Sequence, residues 1–356
     1  MVSTRWIGPR SYDSYKKSAK SAFTRGDYKT EFDIWRNLAN QSEAEAQYEL
    51  ALMYQTGRWV LPNENEAVKL LILSAESGYA AAQIKLGDVY LAGADVPQSI
   101  EEALHWFYRA ADQNDVDAML RLAMIFHLGQ WVDIDLEKAR YWYTCASDAG
   151  CAEADYHLGV MHQDIEEHEQ AVAAYQKAAE RGNVLAEYAL AERYLHGQGV
   201  EQNMDLAIQY FEQAAKAGSA LANFKLGELF YVGEWVTQNL SRAAIYFKNS
   251  AEHGHDEAQY QLGCLYQAGH GVEKNAQKAV HWLMKAANQS HSLALNNLGI
   301  LYANGQGVAK SHDMAEKIFE KAADLGSGEA QNNLKQLKRQ RWWQRHVVAK
   351  MPRFKR

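Results

Sequence analysis

The chain is poor in proline. Four occur in 356 residues, Pro9, Pro62, Pro97 and Pro352, and the stretch from Gln98 to Met351 has none. So long a run without the residue that breaks helices suits a mostly helical chain. Cysteine is scarce too. Cys145, Cys151 and Cys264 cannot pair off evenly and show no Cys-x-x-Cys spacing, so neither a disulfide framework nor a zinc site is indicated. Long apolar runs are missing: Leu70-Leu-Ile-Leu73 is the longest of note, against the ~20 residues of a spanning helix. The first ten residues carry no apolar run of the secretory kind, and a cytoplasmic location is the expectation. What remains is an ordinary soluble composition, with a net charge of −7 and 47 % hydrophobic residues. On length alone that chain makes about two domains of ~150 residues each.

Catalytic signatures are missing as well. There is no Gly-x-x-x-x-Gly-Lys-Ser/Thr, no His-Glu-x-x-His and no Gly-x-Ser-x-Gly. Thirteen histidines are scattered through variable positions such as His105, His127, His196, His281 and His312. His253-Gly-His255 with Asp256 comes nearest to a metal cluster, but it falls at a helix-ending turn. Cys145 and Cys151, six residues apart, read as packed thiols. The expectation is a protein that is not an enzyme, with no cofactor, no metal and no small-molecule substrate.

What is present is a repeat. The pattern Ala-x-x-x-Leu-x-x-x-Tyr/Phe begins at Ala46, Ala82, Ala118, Ala154, Ala186, Ala222, Ala258 and Ala294, with His162 in the aromatic place of the fourth copy. The spacing is 36 residues except for one step of 32, from Ala154 to Ala186. A degenerate ninth copy starts at Ala330, where Lys338 replaces the aromatic. A Gly-x-x-Val loop recurs in register from Gly57/Val60 to Gly305/Val308, missing only from the fourth copy. A further alanine opens a second helix, with small residues seven and eight positions on, as in Ala207…Ala214-Ala215. Each unit therefore reads as two helices, the second ending at a glycine such as Gly78, Gly150 or Gly218 that closes it in the left-handed conformation. No hairpin can bury its apolar face alone, so neighbours must stack. The fold class is all-α, an αα-hairpin solenoid.

Ala186-Glu-Tyr-Ala-Leu-Ala-Glu-Arg-Tyr194, Gly197-Gln-Gly-Val200 and the stretch Ala207 to Gly218 resemble the Sel-1-like repeat, a relative of the tetratricopeptide repeat; Ala258 to Gly271 is equally close. The resemblance covers Ala44 to Gly328. It implies a right-handed α-helical superhelix and an adaptor that holds other proteins, without implying one activity. Some cysteine-rich members of the family are secreted, disulfide-stapled and associated with β-lactam-related activity, which this chain's three cysteines do not support. Before the repeats, Phe23, Gly26-Asp27-Tyr28 and Trp35 resemble a tetratricopeptide-type unit. The organisation expected is a flexible N-terminus over 1–10, a capping hairpin over 11–43, eight repeats over 44–329, and a degenerate capping helix with a basic tail over 330–356.

Two departures from the pattern stand out. In the fourth copy the loop gives way to the acidic Gln163-Asp-Ile-Glu-Glu-His-Glu169, read either as a shortened, solvated turn or as a change of curvature. Trp59, Trp131 and Trp235 occupy a place that other copies fill with Gly199, Gly271 and Gly307. If that place needs a left-handed backbone, a Trp there costs on the order of 1–2 kcal/mol. The three rings either form an aromatic rim for a partner or each cover the neighbouring hairpin.

At about 100° per residue, positions four, seven and eleven of each first helix, counted from its alanine, share a sector that no repeat landmark claims. By analogy with related superhelices it lines the concave side. Position four is Glu49, Lys85, Arg121, His157, Ala189, Lys225, Gln261 and Asn297, and position seven is Leu52, Asp88, Met124, Val160, Glu192, Glu228, Cys264 and Ile300. Apolar beside cationic side chains, clearest at Arg121/Met124 and His157/Val160, suit a peptide segment.

After Glu329 no acidic residue occurs, and Lys335 to Arg356 carries nine Lys/Arg, leaving 28 basic against 44 acidic residues in the rest. Trp343, Val347, Met351 and Phe354 fall at helical spacing amid Arg339, Arg341, Arg345 and Lys350, until Pro352 interrupts. Such a segment suits an anionic membrane surface, nucleic acid phosphates, or a cap in which Trp342 and Trp343 cover the last repeat. Nucleic acid is the least favoured of the three. The function expected is a scaffold for a protein or peptide on the concave face, with a membrane-recruited regulatory subunit as the alternative.

Overall fold

The structure is a computed structural model that describes residues 9–93 and 96–346, with side chains described over 12–93 and 96–343. Among the described residues there are nineteen helices and no strand. They form two compact units that divide at Glu166/Glu167.

The first unit opens on a capping pair, α1 (Pro9–Thr24) and α2 (Tyr28–Ala39). Three hairpins follow: α3 (Ala44–Thr56) with α4 (Glu64–Glu76), α5 (Ala80–Ala92) with α6 (Ile100–Ala111), and α7 (Val116–Leu128) with α8 (Leu136–Asp148). It closes on α9 (Ala152–Asp164). The second unit starts at α10 (His168–Glu180) and runs through α11 (Val184–His196) with α12 (Met204–Lys216) and α13 (Ala220–Val232) with α14 (Leu240–Glu252). It continues with α15 (Asp256–Ala268) and α16 (Ala276–Asn288), then α17 (Ser292–Asn304) and α18 (His312–Asp324), and ends on α19 (Gly328–His346). Inside each unit every helix packs on the next, which is the αα-hairpin solenoid arrangement.

The loop landmarks explain how each hairpin closes. Gly57, Gly93, Gly129, Gly197, Gly233, Gly269 and Gly305 end the first helices in the left-handed conformation. Six residues later stands Asn63, Ser99, Asp135, Asn203, Asn239, Asn275 or Ser311, whose side chain accepts a backbone N–H of the second helix's first turn. The backbone N–H of that same capping residue donates to the carbonyl of the repeat's Tyr or Phe, as from Asn203 to Tyr194 at 2.9 Å and from Asn275 to Tyr266 at 2.8 Å. The fourth copy replaces this loop with a short turn in which Glu166 takes a left-handed backbone at φ 62°.

Small residues set the distance between paired helices. A Cβ added at Gly87 would sit 2.5 Å from the ring of Phe107, and one at Gly227 would sit 2.6 Å from Phe247. Hairpins join through buried polar groups as well as apolar ones. Gln83 and Gln259 donate to the carbonyls of Ala75 and Ala251 at the end of the preceding helix, at 3.0 and 3.1 Å. Asn223 does the same to Ala215 at 3.3 Å. These amides add a second donor to helix-end carbonyls that already accept the backbone N–H of Gly78, Gly254 or Gly218 in the following turn.

Candidate functional site

Positions four and seven of the first helices are half-buried in every repeat, apart from the exposed Arg121. They also touch from one repeat to the next. Arg121 Nη1 lies 2.7 Å from Oδ1 of Asp88, linking position four of α7 to position seven of α5. In the second unit Lys225 on α13 stands 3.7 Å from Glu192 on α11, and the Asn297 amide on α17 lies 3.5 Å from the Cys264 sulfur on α15. The sector thus carries side-chain pairs between repeats in each unit, one in the first and two in the second. Burial raises the Asp88 carboxyl above its ordinary range, with Arg121 and then Lys85 pulling against it.

One pocket opens on this sector in the first unit. About 140 Å³ in volume, it is lined by Leu91, Arg121, Met124, Ile125, Leu128, Gln130 and Trp131. Three residues singled out by the sequence, Arg121, Met124 and Trp131, are thereby brought together from one repeat. Leu128, at position eleven of the same helix, is 58 % exposed and supplies an apolar wall. The arrangement is an apolar floor with one guanidinium–carboxylate pair at its edge. Its lining carries no serine, cysteine or carboxylate.

His157 and Val160 on α9 are half-buried and do not line that pocket. His157 stacks on Tyr143 with ring centroids 5.7 Å apart, and Glu153 lies 3.7 Å from its Nε2. Burial lowers the His157 pKa, Glu153 opposes this, and nearby His127 adds to it. His127 itself is buried, with Nδ1 3.4 Å from the Tyr143 hydroxyl and Nε2 3.3 Å from Asp164. Lys225, in the second unit, spans Glu192 and Glu228 rather than standing as a free cation.

The loop tryptophans separate into two kinds. Trp59 adopts the left-handed backbone (φ 70°), as do Gly199, Gly271 and Gly307 at the same place, whereas Trp131 and Trp235 do not. The strain expected for all three therefore applies to Trp59 alone. The glycines have a second role: a Cβ at Gly199 or Gly271 would lie 2.3 or 2.1 Å from the carbonyl oxygen of His168 or Leu240, in the preceding hairpin. Trp59 and Trp235 are more than half exposed, and only Trp131 lines the pocket described above.

At the other end, α19 docks its first part on α18. Ala330 and Leu337 are buried, Lys338 pairs with Glu316 and Glu320, and Arg341 pairs with Asp313 and Glu316. Arg339, Trp342 and Trp343 are exposed, with the two tryptophans 59 and 50 % accessible, while Leu337 is buried. The side chain of Arg345 and the residues from 347 on lie outside the described residues. Among the described residues no group of three His, Cys, Asp or Glu is arranged to hold a metal ion, and no helix is long and apolar enough to cross a membrane. His255 instead caps α15, accepting from the N–H of Ala258, and stacks on Phe224.

Sequence reading missed Leu91, Ile125, Leu128 and Gln130 around the pocket. Leu128 was within reach, since position eleven belongs to the sector already identified. Leu91 was not, because it comes from the neighbouring repeat's helix.

The Sel1 repeat profile matches the chain eight times, over residues 44–79, 80–115, 116–151, 152–183, 184–219, 220–255, 256–291 and 292–327. A Sel1 repeat protein from Oxalobacter formigenes, known as a crystal structure, is similar at 31 % identity. That likeness covers 86 % of this chain and 90 % of the other, with a TM-score of 0.71. The structure of c5321, a protective antigen present in uropathogenic Escherichia coli strains that displays an SLR fold, is similar at 27 % identity. It covers 91 % of this chain and 82 % of its own, with a TM-score of 0.61. None of the curated proteins matches the chain.

Proposed function

The chain belongs to the Sel1 repeat family, and on that premise we propose that it is a non-enzymatic scaffold holding a protein partner along the position-four and position-seven strip, with an apolar side chain of the partner seated between Met124, Leu128 and Trp131. Proteins built from such repeats are generally protein-interaction scaffolds. The physical advantage is a long surface that exists before the partner arrives, so little ordering entropy is lost on binding.

The observation that carries the reading is the convergence of Arg121, Met124, Leu128 and Trp131 on one open pocket. A desolvated apolar centre with a charged edge is the arrangement in which a few residues supply most of an interface's energy, and Trp and Arg are the types most often found there. The first part of the basic tail is assigned to capping α18 rather than to an anionic membrane. Lys338 and Arg341 already spend their charge on Asp313, Glu316 and Glu320.

Affinity capture with the full chain tests the proposal. Partners retained by the native protein should be lost from an Arg121→Ala/Met124→Ala double variant whose circular dichroism is unchanged. Equal retention by both proteins discards this face.

A further inference from the structure

A second cavity lies in the first unit, where the capping pair meets the first repeat. It holds about 230 Å³ and is lined by Lys20 and Phe23 of α1, Glu31 and Trp35 of α2, Glu49 of α3, and Arg58 of the loop that follows. Its two cations each have a carboxylate partner, and both also act on Glu49. Lys20 lies 3.6 Å from Glu45, outside the cavity lining. Arg58 stands 3.5 Å from Oε1 of Glu31 and 4.9 Å over the ring of Phe23.

The acceptors are not used up. Glu31 is 3 % exposed, and its Oε2 is buried with no hydrogen-bond partner. A buried carboxylate oxygen without a donor is costly, and in a native protein it calls for an explanation. Glu49, half-buried on the facing helix, adds a second carboxylate to the same cavity. Burial raises the Glu31 carboxyl above its ordinary range against the pull of Arg58 and Trp35. Burial first, and Glu45 after it, does the same to Glu49, with Arg58 and Lys20 pulling against them. At both carboxylates burial thus outweighs the neighbouring guanidinium.

We propose that this cavity receives a primary ammonium group on an alkyl stem, its nitrogen held between the carboxylates of Glu31 and Glu49 and its stem lying against Phe23 and Trp35. An ammonium offers three donors on a compact head. Two carboxylates would take two of them as charge-assisted bonds, and aromatic walls suit both a cation and its methylenes. The same chemistry comes either as a lysine side chain of a bound protein or as a free alkyl diamine. The site rests on its own observations and not on the pocket of α7, so either can fail alone.

The test uses the full-length chain labelled with nitrogen-15, in which the indole resonance of Trp35 is assigned by its loss in Trp35→Phe. The probes are 1,5-diaminopentane and Nα-acetyl-lysine N-methylamide, with 1-pentanol and inorganic phosphate as controls. At least one ammonium probe should shift that resonance saturably, and the tighter of the two identifies the source. Glu49→Gln and Glu31→Gln should each weaken that binding about tenfold or more. Should Glu31→Gln fail to fold, Glu49→Gln alone carries the comparison. No saturable shift with either amine, an equal shift with pentanol or phosphate, or undiminished binding in Glu49→Gln would overturn the proposal.

Discussion

Arg121 and Asp88 face each other at 2.7 Å from consecutive repeats, both on the sector left open by the packing of the helices. The pair is partly exposed, with side-chain exposures of 44 and 32 %, so solvent screening leaves it worth at most about 1 kcal/mol. Arg121→Ala should therefore lower the urea unfolding free energy by less than about 1 kcal/mol. A larger loss would mean that the arginine is a structural strut, and a binding defect in its variants would lose its meaning.

The close approach of α5 and α6 depends on Gly87. A Cβ there meets the Phe107 ring at 2.5 Å, and Gly87→Val should destabilise by about 1–3 kcal/mol through overpacking. Combining it with Phe107→Leu should cost less than the sum of the two single changes, because the smaller side chain vacates the contested space. Additive free energies in a double-mutant cycle would show that the two do not compete for one volume.

His157 gives the first unit a pH dependence. Its folded pKa is lowered by burial against Tyr143, with His127 of α7 adding to the shift and Glu153 of its own helix opposing it. The unfolded chain, with an ordinary histidine near about 6.5, then binds the proton first as the pH falls. Stability from this group is complete above about 6.5 and is lost as the pH drops towards the lower folded value. Urea denaturation between pH 7.5 and 5.5 should show a steeper loss for the native protein than for His157→Gln. Parallel curves would remove His157 as the cause.

The architecture was largely legible in the sequence because its determinants are local and recur. The loop glycines, missing only from the fourth copy, and the small residues of the helix faces each fix one geometric feature at the same place along the repeats. The strip was legible too, since helical periodicity alone separates positions four and seven from the packed faces. What escaped depends on contacts between copies. Leu91 reaches the Met124 pocket only because α5 packs beside α7. Glu31 and Glu49 share a cavity only because α2 leans on α3, and no motif relates two glutamates from a capping hairpin and a repeat. The tryptophans show the limit of reasoning by alignment: Trp59 keeps the left-handed backbone of its glycine counterparts, while Trp131 and Trp235 do not.

Site-specific photo-crosslinking in cells that make this protein tests the proposed partner face most directly. A photoreactive residue at Leu128, on the pocket wall, is compared with one at Tyr141, an exposed position on α8 that lies outside the pocket. The account predicts a discrete adduct from position 128 that is absent from position 141 and disappears when Met124→Asp is added. The same adduct from both positions, or one that survives Met124→Asp undiminished, would contradict it.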